Sequence, residues 1–180
     1  MQLNTQTVLE NDRAILFPLQ ESDFESLYAV ASDPKIWEQH PNPDRWKKDI
    51  FRNFFTGALQ SKGAYKIIDK RTGAVAGSTR IYDLSTADNS ILIGYTFYGT
   101  EYWGTGLNKS VKTLLLDFLF KTVSRVDFHI GATNTRSQMA IERLGARKVG
   151  EAEIAYFGEP ARLNFIYSID KETWLAGSQV

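Results

Sequence analysis

The segment from Gly94 to Phe120, GYTFYGTEYWGTGLNKSVKTLLLDFLF, constrains the fold more than any other part of the chain. A strand-like aromatic run passes through Gly104 and Gly106 and becomes a helix within a few residues. That helix carries apolar residues at positions 107, 111, 114, 115, 118 and 119, a stripe typical of a core-facing helix. A Gly-x-Gly turn at such a junction leaves main-chain N–H groups unpaired at the positive end of the helix dipole. The junction therefore predicts an anion site, with a tight ligand-free turn as the alternative.

The remaining pattern predicts one mixed α/β (α+β) domain over residues 1–180, with about seven strands and about four helices. The strand at Val126–Ala132 is expected to lie parallel to Ser90–Phe97 through the crossover helix, whereas the other strands form antiparallel pairs. The other predicted elements are strands at Arg13–Leu19, Ala64–Asp69 and Ala74–Tyr82, a final hairpin around Gly158-Glu159-Pro160, and helices at Phe24–Ala31, at Trp46–Ala58 and from Asn134 or Thr135 to Gly145.

Composition excludes several classes of protein. The chain has 180 residues, no cysteine and equal numbers of basic and acidic residues, 21 of each. The absence of thiols excludes thiolate nucleophiles and disulfides, and with only two histidines we predict no metal site. The balanced charge disfavours nucleic-acid binding, and no apolar run approaches the roughly 18 residues of a membrane span. We therefore expect a cytoplasmic protein without a nucleic-acid or membrane partner.

Two nucleotide-binding motifs were tested against the glycine turn. A dinucleotide fingerprint requires a third glycine where Lys109 stands, although Asp127 lies near the position of a ribose-binding acid. A P-loop requires Gly-Lys followed by Ser or Thr, and the sequence contains no such string. A dinucleotide-dependent oxidoreductase is therefore kept only as the third functional hypothesis.

Two motifs carry a resemblance to a known family. WGTGLN, residues 103–108, resembles the acyl-CoA pyrophosphate loop of the GNAT superfamily of N-acetyltransferases, and NTRSQMAIERLGA, residues 134–146, is similar to its second conserved segment. Together with IGYTFYGTEYWG they resemble the branch that includes the ribosomal-protein-alanine N-acetyltransferases. The resemblance implies a twisted, mostly antiparallel sheet with a splayed parallel pair. It also implies direct transfer of acetyl from acetyl-CoA to a primary amine, on a protein N-terminus or a small molecule, in a ternary complex.

The resemblance also assigns cofactor-binding and catalytic residues. Asn134 and Ser137 match positions that contact the pantetheine and the departing sulfur, and a hydroxyl there can donate to the thiolate. The alternative is that Asn134 is only a helix N-cap and Ser137 only a residue of the first helical turn. The other implied cofactor-binding residues are Thr96, Phe97 and Tyr98 for the pantetheine, and Trp103, Gly104, Thr105, Gly106, Leu107 and Asn108 for the pyrophosphate.

The acceptor side has no motif of its own. Candidates for the general base are Asp83, His40, Glu101 and Glu159, or a chain of water molecules. Candidates that line the acceptor site are Trp37, His40, Trp46, Tyr82, Asp83, Tyr95 and Tyr156. The second functional hypothesis is a non-catalytic acyl-CoA sensor or interaction module, and the expected assembly is a monomer or homodimer.

Overall fold

The computed structural model describes residues 3–156 and 158–177, so Phe157 of the predicted hairpin lies outside the described residues. One sheet of eight strands runs in the order β1-β2-β3-β4-β5-β6-β8-β7, and the neighbouring pair β5 and β6 is parallel. The strands are β1 Leu9–Glu10, β2 Ala14–Pro18, β3 Ala64–Asp69, β4 Ala74–Ser85, β5 Ser90–Tyr98, β6 Arg125–Gly131, β7 Arg147–Ile154 and β8 Arg162–Asp170. The helices are α1 Phe24–Ala31, α2 Lys48–Ser61, α3 Leu107–Leu119, α4 Thr135–Glu142 and α5 Lys171–Gly177.

The predicted fold class is confirmed, with two added elements and several shifted boundaries, of which the start of α2 affects a candidate site residue. The added strand β1 has only two residues, too few to show an alternating pattern, and the added helix α5 has seven. Helix α2 begins at Lys48, so Trp46 precedes it and is exposed. A turn from Asp44 to Lys47, closed by a main-chain hydrogen bond of 2.9 Å, occupies the segment where the helix was predicted to begin.

Strands β5 and β6 pair at one end only. Their parallel register covers three residue pairs, from Ser90 opposite Arg125 to Leu92 opposite Asp127. Beyond Leu92 the two strands share no register, although β5 continues to Tyr98 and β6 to Gly131. The sheet is therefore open between these strands on the side toward which they run.

A bulge in β5 lies at this opening. Gly94 pairs with Arg80 of β4 and Phe97 pairs with Ser78, so Tyr95 and Thr96 together stand opposite Thr79. Tyr95 has φ of 52°, a left-handed conformation that is strained for a residue with a Cβ. The bulge directs the Tyr95 ring into the cluster of α1 and α2, whereas the Thr96 hydroxyl contacts Lys112 of α3.

The sheet separates two apolar clusters. On one side the predicted stripe of α3 packs into the core, with Leu107, Val111, Leu115 and Leu119 fully buried. The other side holds the aromatic residues of α1 and α2 together with Trp37 and Phe97. Within residues 3–156 and 158–177, no helix combines the length and the hydropathy that crossing a bilayer requires.

Candidate active site

A cavity of about 420 Å³ occupies the opening between β5 and β6. Its walls come from β5 and β6, the loop before α3, the first turns of α3, helix α4 and the segment around His40 to Arg45. The lining includes Tyr95, Thr96, Phe97 and Tyr98 from β5. The cavity thus lies where the pairing of β5 with β6 ends.

The glycine loop forms one end of this cavity. Gly104 and Gly106 have φ of 70° and 84°, and Gly106 is the N-cap residue of α3. A Cβ built on either glycine would meet no atom within 4 Å, so the space above the loop is open. Among the described residues, no acceptor is within hydrogen-bonding distance of the main-chain amides of Gly104, Gly106 or Asn108. These amides stand at a helix N-terminus without a protein acceptor, which is the arrangement that binds anions in proteins.

The charge of the lining has one sign. Five cationic side chains line the cavity, and within the described part of the chain no carboxylate does. The guanidinium carbon of Arg136 lies 3.7 Å from the centre of the Trp103 ring, so this cation lies beside the glycine loop. The five cations are Arg45, Lys109, Lys112, Arg136 and Arg143. An anionic ligand suits such a lining, because one-signed charge in a cleft concentrates counter-ions there.

The start of α4 faces the glycine loop across the cavity. Asn134 is the N-cap residue, and its side-chain oxygen accepts a hydrogen bond of 3.1 Å from the main-chain N–H of Ser137. Both residues line the cavity, and the Ser137 hydroxyl has no partner among residues 3–156 and 158–177. Asn134 therefore caps α4, and the Ser137 hydroxyl is free to donate to a ligand.

Tyr95 and Tyr156 form a wall at the other end of the cavity, and Tyr82 packs behind Tyr95. The Tyr82 and Tyr95 rings meet edge to face at 5.1 Å between centroids, and Tyr95 and Tyr156 do the same at 5.1 Å. The Tyr156 hydroxyl lies 2.6 Å from the buried side-chain oxygen of Asn164. Burial raises the pKa of Tyr82 and Tyr156, so these phenols stay protonated at neutral pH.

The Arg45 guanidinium and the Glu159 carboxylate form a buried ion pair beside this wall. Nε and Nη2 of Arg45 donate to the two carboxylate oxygens at 2.8 and 2.7 Å. The side chains are 3% and 6% exposed. A carboxylate held by two charge-assisted hydrogen bonds is a poor general base, because accepting a proton would break the pair.

The other three predicted bases, His40, Asp83 and Glu101, differ in whether they line the cavity. His40 lines the cavity against the Trp37 ring, and burial, with the nearby charges of Arg45 and Arg136, lowers the pKa of His40 to about 3. Asp83 and Glu101 are exposed and are not part of the lining. Of the four predicted bases, His40 alone therefore lines the cavity, and in the described chain it has no ion-pair partner.

A family model decides what kind of enzyme has this cavity. The model described as "Acetyltransferase (GNAT) domain" matches residues 13–147, which include β2 to α4 and the whole of the glycine loop. The chain belongs to the GNAT acetyltransferase family. It is an acetyl-CoA-dependent N-acetyltransferase, which transfers an acetyl group from acetyl-CoA to an amine.

Solved GNAT structures share the fold at low sequence identity. A GCN5-related N-acetyltransferase from Brucella melitensis is 21% identical with a TM-score of 0.83, over 97% of this chain and 83% of that one. RimJ from Mycobacterium smegmatis in complex with CoA-disulfide is 17% identical with a TM-score of 0.67, over 88% and 82% of the two chains. Spermidine N-acetyltransferase from Vibrio cholerae in complex with CoA and spermine is 15% identical with a TM-score of 0.66, over 92% and 99%.

Most residues predicted for the GNAT site line the cavity, and eight do not, among them Trp46, Glu101 and Glu159. Leu107 and Trp37 are fully buried core residues, and the Trp37 indole donates to the Ala31 carbonyl at 2.7 Å. Thr105 turns its hydroxyl to the Tyr102 carbonyl, Tyr82 stands behind Tyr95, and Asp83 is exposed. The predicted residues that line the cavity are Thr96, Phe97, Tyr98, Trp103, Gly104, Gly106, Asn108, Asn134, Ser137, His40, Tyr95 and Tyr156.

Among the cavity residues that sequence reasoning missed are the two charged residues Arg45 and Lys112. Arg45 lies in a turn-rich loop. Lys112 lies beside the apolar stripe of α3, where a polar residue does not disturb the helical pattern and so attracts no notice. The one available signal for Lys112 was its position four residues after Asn108, which places both on the same helical face. Arg45 had no such signal, since its partner Glu159 is distant in the chain.

Proposed function

We propose that this GNAT enzyme binds acetyl-CoA along the opening between β5 and β6, with the pyrophosphate at the glycine loop. The observation that carries the proposal is the pair of positive-φ glycines with free amides at the end of a cavity lined by cations. The pantetheine would take main-chain partners from Thr96 to Tyr98, where β5 has no register with β6. The cofactor supplies the acetyl group as a thioester, and the loop amides supply its anchoring contacts.

We propose that Ser137 assists departure of the CoA sulfur. Its hydroxyl lines the cavity without a partner in the described chain, and its main-chain N–H is held by the Asn134 side chain. A donor fixed at the start of a helix can give a hydrogen bond or proton to the developing thiolate. Asn134 then acts as a positioning residue, which orients the turn that carries Ser137.

We propose that the acceptor is an α-amino group of a protein N-terminus or of a small molecule. Among the described residues, no carboxylate lines the cavity on the side that holds Tyr95, Tyr156 and His40, and Glu159 beside it is paired with Arg45. An α-amine with pKa near 8 is about 10% neutral at pH 7, whereas a lysine amine near 10.4 is about 0.04% neutral. The cavity thus favours an amine that needs little help to lose its proton.

Thermal unfolding with acetyl-CoA, CoA, NAD and ATP tests cofactor choice. A ligand at 100 times its Kd adds about 2.7 kcal/mol, which raises Tm by roughly 5 to 10 °C in a chain of this size. We expect shifts with acetyl-CoA and CoA alone. A shift with NAD alone would support the dinucleotide hypothesis and overturn the proposal.

Thiol release with an amine panel then tests transfer. We expect release of free CoA with peptides that present an α-amine, and much slower release with the same peptides blocked at the N-terminus but carrying lysine. Cofactor binding without release for any amine would indicate the sensor module instead.

We further propose a single catalytic domain over residues 1–180, active as a monomer or homodimer in the cytoplasm without nucleic-acid or membrane partners.

A further inference from the structure

Lys112 is a buried cation without a counter-ion. The residue lies in the second turn of α3, is 3% exposed and lines the cavity. Its Nζ donates to the hydroxyl oxygens of Thr96 at 2.7 Å and Thr79 at 3.3 Å, and those two oxygens are 2.8 Å apart. No carboxylate of residues 3–156 or 158–177 lies within 4 Å of this nitrogen. Hydroxyl dipoles alone are a weak substitute for water around an ammonium group.

The elements packed around Lys112 offer no compensating charge. Strand β4 presents Thr79, and β5 presents Thr96 and the Tyr98 phenol, whose pKa burial raises. Strands β1 and β2 contact α3 and add apolar residues to its core cluster. The remaining titratable or charged groups of the cavity are Lys109 on α3, His129 on β6, Arg136 and Arg143 on α4, Arg45, His40, Tyr95, Tyr102 and Tyr156. None of these is an anion at neutral pH.

A buried polar atom without a hydrogen-bond partner lies on the same face of α3. The side-chain oxygen of Asn108 is buried and has no hydrogen-bond partner in the described structure. Asn108 and Lys112 are four residues apart, so they stack along one side of the helix, and both line the cavity. The polar track therefore runs from the loop amides through Asn108 to Lys112, toward the interior of the opening. The Asn108 oxygen can only accept, so an N–H group of a ligand or a water molecule would complete it.

We propose that the anionic cofactor supplies the counter-charge that Lys112 lacks. The Lys112 ammonium is then fully formed only when the cofactor fills the cavity, so binding takes up one proton at Nζ. The inference rests on the proposed function, since it requires CoA in this cavity. The step is the protonation of a neutral amine by a proton from the solvent, with no bond to carbon made or broken. The phosphate groups of the cofactor favour the charged form of a nearby amine, and burial disfavours it in their absence.

The unliganded side chain is poised for such an exchange. Burial lowers the pKa of Lys112 to about 7 in the free protein. At pH 8 about one tenth of the molecules then carry the proton, and at pH 6 about nine tenths do. In the complex, the nearby phosphate charge raises the pKa of Lys112 well above 8. Binding then consumes close to one proton at pH 8 and about a tenth of one at pH 6. CoA itself contributes little at pH 8, because its phosphates are already ionised there.

Calorimetric titration with CoA in buffers of different ionisation enthalpy measures this proton directly. We expect the wild-type protein to take up about 0.9 proton per CoA at pH 8, and Lys112→Met to take up almost none. The Lys112→Met protein should also bind CoA more weakly at pH 7 while its Tm stays the same or rises, because methionine fills the same space without a buried charge. A Tm that does not fall separates the loss of affinity from a folding defect.

Lys109→Met is the matched control. Lys109 lines the same cavity from the same helix but is exposed, so its variant removes one cavity charge while the buried amine remains. We expect weaker CoA binding with proton uptake unchanged, because the Lys109 ammonium stays in water in both states.

The outcomes distinguish the two proposals. No CoA binding by the wild-type protein would overturn the proposed function. Wild-type binding without proton uptake at pH 8, or equal uptake by Lys112→Met, would overturn the inference alone. Acetylation of Lys112 on incubation with acetyl-CoA, detected by mass spectrometry, would also overturn it, since that reaction requires a neutral amine in the loaded state.

Discussion

Arg45 and Glu159 join two segments that are 114 residues apart, through two hydrogen bonds of 2.8 and 2.7 Å. The Arg45 guanidinium also lies 4.9 Å from the centre of the Phe54 ring and 5.8 Å from that of Tyr156. The pair therefore connects the loop before α2 with the turn between β7 and β8, next to the acceptor end of the cavity. From this arrangement we expect Glu159 to have a structural role and not the predicted catalytic one.

Glu159→Gln tests that role. Removing one charge of a buried pair leaves the other uncompensated, so we expect the free energy of unfolding to fall by about 3 kcal/mol. Denaturant unfolding measures the change, and Glu101→Gln, at an exposed carboxylate, should leave stability unaltered. Unchanged stability together with a large fall in kcat would instead identify Glu159 as the base.

Gly104→Trp should abolish binding of acetyl-CoA while the fold survives. An indole at this position would fill the open space above the loop, where we place the pyrophosphate. Gly73→Trp is the control, because Gly73 also has positive φ, 72°, and no atom within 4 Å of a built Cβ, but lies in the β3–β4 turn. Both variants should lose a similar amount of stability, measured by Tm. CoA affinity retained in Gly104→Trp would refute the loop assignment.

Ser137→Ala should lower kcat by about 10², the lower range for a positioned acid, with a much smaller effect on CoA affinity. The main-chain N–H of residue 137 still donates to Asn134, so α4 keeps its cap. Free-thiol release gives kcat and calorimetry gives Kd. Ser124→Ala, before β6 and away from the cavity, should be indistinguishable from wild type, and equal turnover in Ser137→Ala would exclude the hydroxyl from the mechanism.

The pH dependence of kcat/KM for the amine, measured at saturating acetyl-CoA, should follow the acceptor and not the enzyme. With its pKa at about 3, His40 is neutral at every pH where the enzyme is assayed, so it contributes no rise near neutrality. We expect kcat/KM to rise toward about pH 8 for an α-amine and toward about pH 10 for a lysine-type amine. Parallel profiles for two such acceptors test this, and a rise at the same pH for both would indicate an enzymic base.

Lys112 should make the stability of the unliganded protein increase with pH. Its folded-state pKa, about 7, is below the unfolded value of about 10.5, so between these values the unfolded chain binds a proton that the folded chain does not. Stability therefore rises with pH in this window, by at most about 1.4 kcal/mol per pH unit. Comparing wild type with Lys112→Met by denaturant unfolding at pH 7 and pH 9 isolates this contribution. Parallel pH dependence of the two proteins would mean that Lys112 is charged in both states.

Local patterns predicted the elements that position the site. The α3 stripe ends in fully buried Leu119, the two loop glycines have the positive φ that the turn required, and Gly145 ends the segment after α4 with φ of 95°. These features depend on residues within a few positions of one another, so they can be read from order alone. The bulge at Tyr95 had no such signal, because it arises from the register of β5 against β4.

Sequence by itself determined the element order and the glycine turn before α3. It also determined that the two motifs at residues 103–108 and 134–146 match those of GNAT enzymes. Only the tertiary structure decided which charges meet. The chain has equal numbers of acidic and basic residues, yet five cations and no described carboxylate line the cavity, Glu159 is paired with Arg45, and Lys112 is buried with no partner acid. Charge pairing and burial depend on distances between segments far apart in the chain, which composition and spacing do not encode.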